Sequence, residues 1–305
     1  MGGRLFLTDG GIETWLIYDR GWELPHFAAF HLLRTPDGEM AILDYYRAYA
    51  EIARRHAVGL ILESATWRAS RDWADRLGYS RLELAEANRR AIHLLARVRT
   101  EYATPASPIV ISGCVGPRGD GYVPGQVMSP GDARAYHREQ IRSLSEAGAD
   151  MVCALTMNYR DEAIGVARAA RDEHLPVALS FTVETDGYLP TGQPLRDAIG
   201  EVDDATGGYP AYYMINCAHP SHFQHLLTSA EPWTHRIRGV RANASRKSHQ
   251  ELNESTELDG GDPHELADDY VRLKHGHPPL NVLGGCCGTD HRHLARIAQV
   301  CAPLF

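Results

Sequence analysis

Two cysteines stand side by side near the C-terminus, Cys286-Cys287, with Gly284-Gly285 before them and Gly288 after. A third, Cys217, follows Asn216 much earlier in the chain. Vicinal cysteines between glycines fit core packing poorly, and the glycines permit a backbone turn that aims two successive thiolates at one ion. Thiolates are soft ligands. Three of them at about 2.3 Å hold Zn²⁺ and leave its fourth tetrahedral position open, as catalytic zinc requires. The spacing is not that of a zinc finger, so the trio forms a site only if the fold brings two distant segments together. A redox-active vicinal pair is the other chemistry the motif allows. The remaining cysteines, Cys114, Cys153 and Cys301, are read as ordinary buried thiols.

The elements that must position these residues alternate regularly. Short apolar or β-branched runs at Arg4 to Leu7, Leu60 to Glu63, Ile109 to Gly113 and Met151 to Ala154 predict four strands. Four more are predicted at Val177 to Phe181, Tyr212 to Asn216, Ile237 to Ala242 and Leu280 to Gly284. Amphipathic stretches separate most of them: Glu39 to His56, Leu82 to Tyr102, Pro130 to Ala147, Asp161 to His174, Leu195 to Ala205, Pro263 to His275 and His291 to Cys301. Eight strands alternating with helices in one chain predict an α/β fold, a single-domain (β/α)₈ TIM barrel spanning residues 1–305. An open doubly wound sheet is the competitor, but the loop after the first strand, Thr8 to Thr14, lacks the spaced glycines of a dinucleotide fingerprint. The polar segment Glu251 to Gly261 reads as a mobile loop.

In such barrels chemistry sits in the loops at the C-terminal ends of the strands. Cys217 follows strand six and Cys286-Cys287 follow strand eight, so the barrel is what would place the trio on one rim. Glu63 ends strand two, and Glu184, Asp186 and Asn243 also fall at the rim.

Bulk properties exclude some classes. The chain has 39 acidic and 31 basic side chains, and no run of Lys or Arg suits a phosphate backbone, so nucleic acid is not an expected partner. The N-terminal stretch carries neither the apolar core of a signal peptide nor a membrane span, which predicts a cytoplasmic protein with no membrane partner. The sequence leaves a homo-oligomer open. Among 16 histidines, His137, His174, His291 and His293 are expected to be solvated or helix-capping rather than metal-bound.

The chain resembles the homocysteine S-methyltransferase family, a zinc-dependent group that includes betaine-homocysteine and S-methylmethionine-homocysteine methyltransferases. The resemblance covers nearly the whole chain. It rests on Asp9-Gly10-Gly11, Ser112-Gly113-Cys114-Val115-Gly116-Pro117, Ala147-Gly148-Ala149-Asp150, Ile215-Asn216-Cys217 and Gly284-Gly285-Cys286-Cys287-Gly288-Thr289. It implies a methyltransferase of the kind that makes methionine, with Cys217, Cys286 and Cys287 on Zn²⁺ and the sulfur of a small-molecule thiol as fourth ligand. It also implies that Asp9, set by Gly10 and Gly11, helps bind the amino group of the thiol, and that Asn216 lies among the substrate-binding residues.

Two departures bear on substrates. Where the family has a carboxylate after strand four this chain has Leu155, so either Glu63 supplies the missing charge or the thiol lacks an amino group. On the donor side Trp67 offers a ring for a cationic methyl group, while Arg68 stands where betaine-using relatives carry tyrosine. A fixed positive charge there disfavours a cationic donor unless it binds a carboxylate, and a sulfonium donor, S-methylmethionine or S-adenosylmethionine, is ranked above betaine. Two other readings of the same residues remain at this point: a zinc hydrolase with Glu63 as general base, and a non-catalytic zinc- or thiol-binding barrel that has lost turnover.

Overall fold

The computed structural model describes residues 3–228, 231–255 and 257–305; Thr256, inside the segment read as a mobile loop, lies outside them. The strands are β1 (Phe6–Leu7), β2 (Gly59–Glu63), β3 (Ile109–Val115), β4 (Met151–Met157), β5 (Val177–Phe181), β6 (Tyr212–Asn216), β7 (Ile237–Ala242) and β8 (Val282–Gly285). They pair in chain order as a closed parallel barrel, shut by Phe6 opposite Val282 and Leu7 opposite Leu283. The helices between them are α1 (Pro36–Arg55), α2 (Arg81–Tyr102), α3 (Pro130–Glu146), α4 (Arg160–Asp172), α5 (Leu195–Thr206), α6 (Pro220–Leu227), α7 (Pro263–Gly276) and α8 (His291–Cys301). The (β/α)₈ barrel expected from the sequence is therefore present, and among the described residues no helix is long and apolar enough to cross a membrane.

Local chemistry explains why the elements stop and start where they do. Ser80 and Glu83 close a capping box on α2, and Asp262 accepts the amides of His264 and Glu265 at the start of α7. On α8, Leu294, Ile297, Ala298 and Cys301 recur at helical spacing and are all buried, which fixes the face it lays on the barrel.

The two-residue period of each strand separates two cores. Leu7, Leu60, Leu62, Val152, Leu179, Ile215, Val240 and Leu283 point outward to the helices. Phe6, Ile61, Met151, Cys153, Ala178, Tyr212, Met214 and Val282 fill the barrel interior. One further step of that period along each strand reaches the top of the interior, where Glu63, Leu155, Asn216 and Arg241 fall.

The structure corrects several expectations. β4 runs to Met157 rather than ending at Ala154, so Leu155 is a strand residue on the inner face. A helix the sequence reading lacked, α6, begins at Pro220, a residue suited to the first turn. The segment read as a mobile loop begins inside a short helix, His249–Asn253, and is tied down where Ser245 donates to Asp259 (2.6 Å). His137 is neither solvated nor a cap: it is fully buried on α3 and its Nε2 sits 2.9 Å from Glu162 Oε1, a polar contact inside the helix layer. His174 and His291 are exposed, and His293 takes part in the capping box of Asp290, as expected.

Candidate active site

Cys217 leaves β6 with φ of 56°, in the left-handed region that a side chain with a Cβ avoids. The strain is held from several sides. Its amide donates to Arg241 O (3.2 Å), and its carbonyl takes hydrogen bonds with Asn243 Nδ2 (3.0 Å) and His249 Nε2 (2.7 Å). Thr156, also at positive φ, brings its hydroxyl to 4.0 Å from Cys217 Sγ. Asn216 links the two, accepting from the Thr156 amide (2.9 Å) and donating to its hydroxyl (2.9 Å), with Nδ2 also 3.9 Å from Cys286 Sγ.

Cys286 and Cys287 follow β8 in a turn tied to its neighbours. Cys286 N donates to Ala242 O (2.8 Å), Cys287 O accepts from Ala244 N (3.1 Å), and the Thr289 hydroxyl donates back to Cys286 O (2.7 Å). The loop after β1 lies directly against this turn. A Cβ on Gly11 would stand 2.6 Å from Cys286 O, so only glycine allows the two backbones to meet. The Asp9-Gly10-Gly11 motif thus shapes the cysteine turn as well as offering a carboxylate.

The outcome is that Cys217, Cys286 and Cys287 converge, their three Sγ atoms within 4.8 Å of one another. Cys217 and Cys286 approach closely enough to be joined as a disulfide, with Cα atoms 5.4 Å apart. Once reduced, the trio fits a soft divalent ion: three thiol sulfurs on one side of a cavity, with room opposite for a fourth ligand. Burial pushes the Cys287 thiol up to about 11, so a cation at this spot is what would draw its proton off. Tyr122 stacks on His249 (ring centroids 4.0 Å apart) beside the trio and brings its hydroxyl to 3.9 Å from Cys287 Sγ.

A cavity of about 600 Å³ opens from the cysteines. Asp9, Gly10, Glu63, Trp67, Arg68 and Asn216 all border it, while Gly11 stands behind them against Cys286. Leu155 is in the wall, and the Trp67 indole donates to its carbonyl (3.3 Å). Arg68 does not stand free: its guanidinium lies 4.1 Å from the Trp67 ring and 3.8 Å from the Trp73 ring, with Nη1 donating to Gly119 O (2.8 Å). One face of Trp67 is therefore already occupied by a cation. Glu184 is drawn to His249 (3.3 Å) outside the cavity wall.

Sequence reading missed the most consequential residue here. Arg241, on β7, is 4% exposed and its Nη1 lies 2.8 Å from Asp9 Oδ1. The signal was present: β7 reads Ile237-Arg238-Gly239-Val240-Arg241-Ala242, and of its two arginines Arg241 shares the face of Ile237 and Gly239, where a buried guanidinium needs a counter-charge.

Glu63 is also buried, and burial raises its carboxyl from the ordinary 4.5 to about 7, with Arg241 pulling the other way. A raised acid is one that the folded chain prefers protonated, so its stability contribution is full below pH 4.5, declines as pH climbs, and levels off above about 7. Glu63→Gln is expected to remove that slope, gaining up to about 3 kcal/mol over wild type at pH 8 and nothing at pH 4. Urea melts of both proteins at the two pH values check this, and parallel curves would place the titration elsewhere.

A parallel barrel with a thiol trio at its C-terminal rim and a closed-in cavity beside it defines an enzyme that handles sulfur. The sequence model of the homocysteine S-methyltransferase family matches residues 6–301, and the chain belongs to that family. It is therefore a methyltransferase, and the hydrolase and binding-only readings fall away. Similar proteins include homocysteine S-methyltransferase 4 of Zea mays, 25% identical over 97% of this chain and 89% of the relative. The homocysteine S-methyltransferase of Escherichia coli is 28% identical over 70% and 69%, and the selenocysteine Se-methyltransferase of Brassica oleracea var. italica 24% identical over 94% and 86%. Among solved structures, the oxidized form of the homocysteine methyltransferase MmuM of Escherichia coli shares the fold at a TM-score of 0.75, with 22% identity over 97% of this chain and 96% of that one.

Proposed function

We propose that the chain, acting as one cytoplasmic barrel domain, moves a methyl group from a sulfonium donor, S-methylmethionine or S-adenosylmethionine, to the sulfur of homocysteine or a related thiol, with Zn²⁺ on Cys217, Cys286 and Cys287. The observation that carries this reading is the convergence of the three sulfurs at the head of a cavity that holds both charged and apolar walls. When bound, zinc would take the substrate sulfur as its fourth ligand and lower its pKa, so that a thiolate is presented at neutral pH.

The chain's own residues supply the rest. Asn216 and Thr156 hold Cys217 in its strained turn, which fixes where a sulfur can sit. Transfer is an in-line displacement: the acceptor sulfur donates an electron pair to the methyl carbon, the bond from that carbon to the donor sulfonium breaks, and its electron pair neutralises the donor as a thioether. The thiol proton leaves to solvent. Glu13 and Glu63 border the cavity and favour a cationic donor when ionised, whereas Asp9 already faces Arg241 (2.8 Å). Arg68 borders the cavity and suits the carboxylate that both sulfonium donors carry, which would share the guanidinium with Asp120, 3.6 Å from Nη2. Leu155 and Trp67 give the methyl path an apolar, water-poor wall.

Reduced protein is expected to hold about one zinc per chain and to form a methylthio product from either sulfonium donor, faster than from betaine. Stripping the metal with a chelator should abolish transfer and zinc should restore it. Turnover that survives in demonstrably zinc-free protein would overturn the metal assignment, and absence of product with every donor would overturn the reaction.

A further inference from the structure

Arg241 has no task in the transfer just described. It is more than nine-tenths buried, borders the cavity that holds the cysteines, and is fixed on two sides, Nε donating to Gly285 O (3.1 Å) and Nη2 to Gly10 O (3.1 Å). Its Nη1 lies 2.8 Å from Asp9 Oδ1, but outside hydrogen-bonding geometry, so that nitrogen has no hydrogen-bond partner. A planar guanidinium pinned along one edge and ion-paired with Asp9 through Nη1 still has N–H donors without a hydrogen bond, and a carboxylate that shares it with Asp9 can accept them.

The same arginine removes the expected anchor for an ammonium group. Asp9 Oδ2 accepts from the Tyr45 hydroxyl (3.2 Å), and Oδ1 faces Arg241. An ammonium approaching Asp9 would have to displace or crowd a cation already in contact with it. On the opposite wall Leu155, 8% exposed and packed with Ile61, Cys114 and Cys153, offers only methyl groups. We propose, resting on the reading that the chain methylates a thiol at the cysteine trio, that the acceptor is a thiol carboxylate without an amino group, its carboxylate bound by Arg241 and its alkyl chain lying against Leu155. Glu63 is the group that opposes this: it borders the same cavity, and its Oε2 has no hydrogen-bond partner. It is where an ammonium would sit if the acceptor carried one.

Three thiols built on one chain length separate the two cases: homocysteine, 4-mercaptobutanoate, which lacks only its amino group, and 3-mercaptopropylamine, which lacks only its carboxylate. Their affinities are read by titration calorimetry on the reduced, zinc-loaded protein without donor, and their methylation is then followed with S-methylmethionine. The carboxylate thiol is expected to bind about tenfold or more tightly than homocysteine, and about a hundredfold more tightly than the amine. Arg241→Gln should bring the three within about threefold of one another, and the wild-type order stands as a test even where that variant folds poorly. Homocysteine or the amine binding as tightly as 4-mercaptobutanoate overturns the proposal, and loss of that binding in Glu63→Gln would assign the ammonium to Glu63. Methyl transfer is a separate readout: the expected binding order with no product from any donor leaves carboxylate recognition standing and sinks the transferase mechanism.

Discussion

Cys286→Ser is expected to lose its zinc and to slow methyl transfer by about a thousandfold or more, equivalent to about 4 kcal/mol of barrier. The size follows from what the trio does together. Serine is nearly isosteric but its hydroxyl stays protonated at neutral pH, so the ion would keep two charged sulfurs and a poor third ligand. The acceptor thiol would then be mostly protonated, and its sulfur no longer held beside the donor. Cys301→Ala is the matched control: Cys301 is fully buried on α8, away from the cavity, so the substitution should cost stability and leave zinc in place. Metal analysis of reduced protein, read beside initial rates, distinguishes the two. Equal zinc in Cys286→Ser and wild type would mean that Cys217 and Cys287 suffice, or that the ion sits elsewhere. Because Cys217 and Cys286 also approach as a disulfide, the measurement requires reductant throughout.

Much of this site was legible from the chain because barrels translate sequence into space by a simple rule. The residue after each strand reaches one rim, so Cys217 after β6 and Cys286-Cys287 after β8 had to meet once eight strands were counted. The buried state of Cys114, Cys153 and Cys301 was equally plain. What escaped the reading escaped for physical reasons. Arg241 lies within a strand rather than after it, and its importance depends on a partner far away in the chain, Asp9, which only closure of β1 against β8 brings near. The left-handed turns of Thr156 and Cys217 carry no glycine to announce them and persist because Asn216 bridges them. Asn216, expected among substrate-binding residues, is occupied largely with that bridge and with the Ser180 hydroxyl, which donates to it at 2.6 Å. His137 and Glu162 lie on neighbouring helices, α3 and α4, and their contact has no sequence signature at all.

Asp9→Asn is expected to destabilise the fold by about 3–5 kcal/mol, because it leaves the Arg241 guanidinium buried with no counter-ion. At a few degrees per kcal/mol for a chain of this size, the melting temperature should fall by about 10 °C. The pair itself contributes less than that figure suggests, since two ions were taken out of water to make it, and Arg241 is also held by the Gly10 and Gly285 carbonyls. The double variant Asp9→Asn/Arg241→Gln should therefore recover most of the loss, giving a coupling of about 2 kcal/mol or more in a double-mutant cycle. Strictly additive effects would show that the two charges, though 2.8 Å apart, are each satisfied by other groups. Recovery of stability without recovery of thiol binding would separate the two duties of Arg241, bracing the loop after β1 and facing the substrate, and would explain why a residue so costly to bury sits in the wall of the cavity.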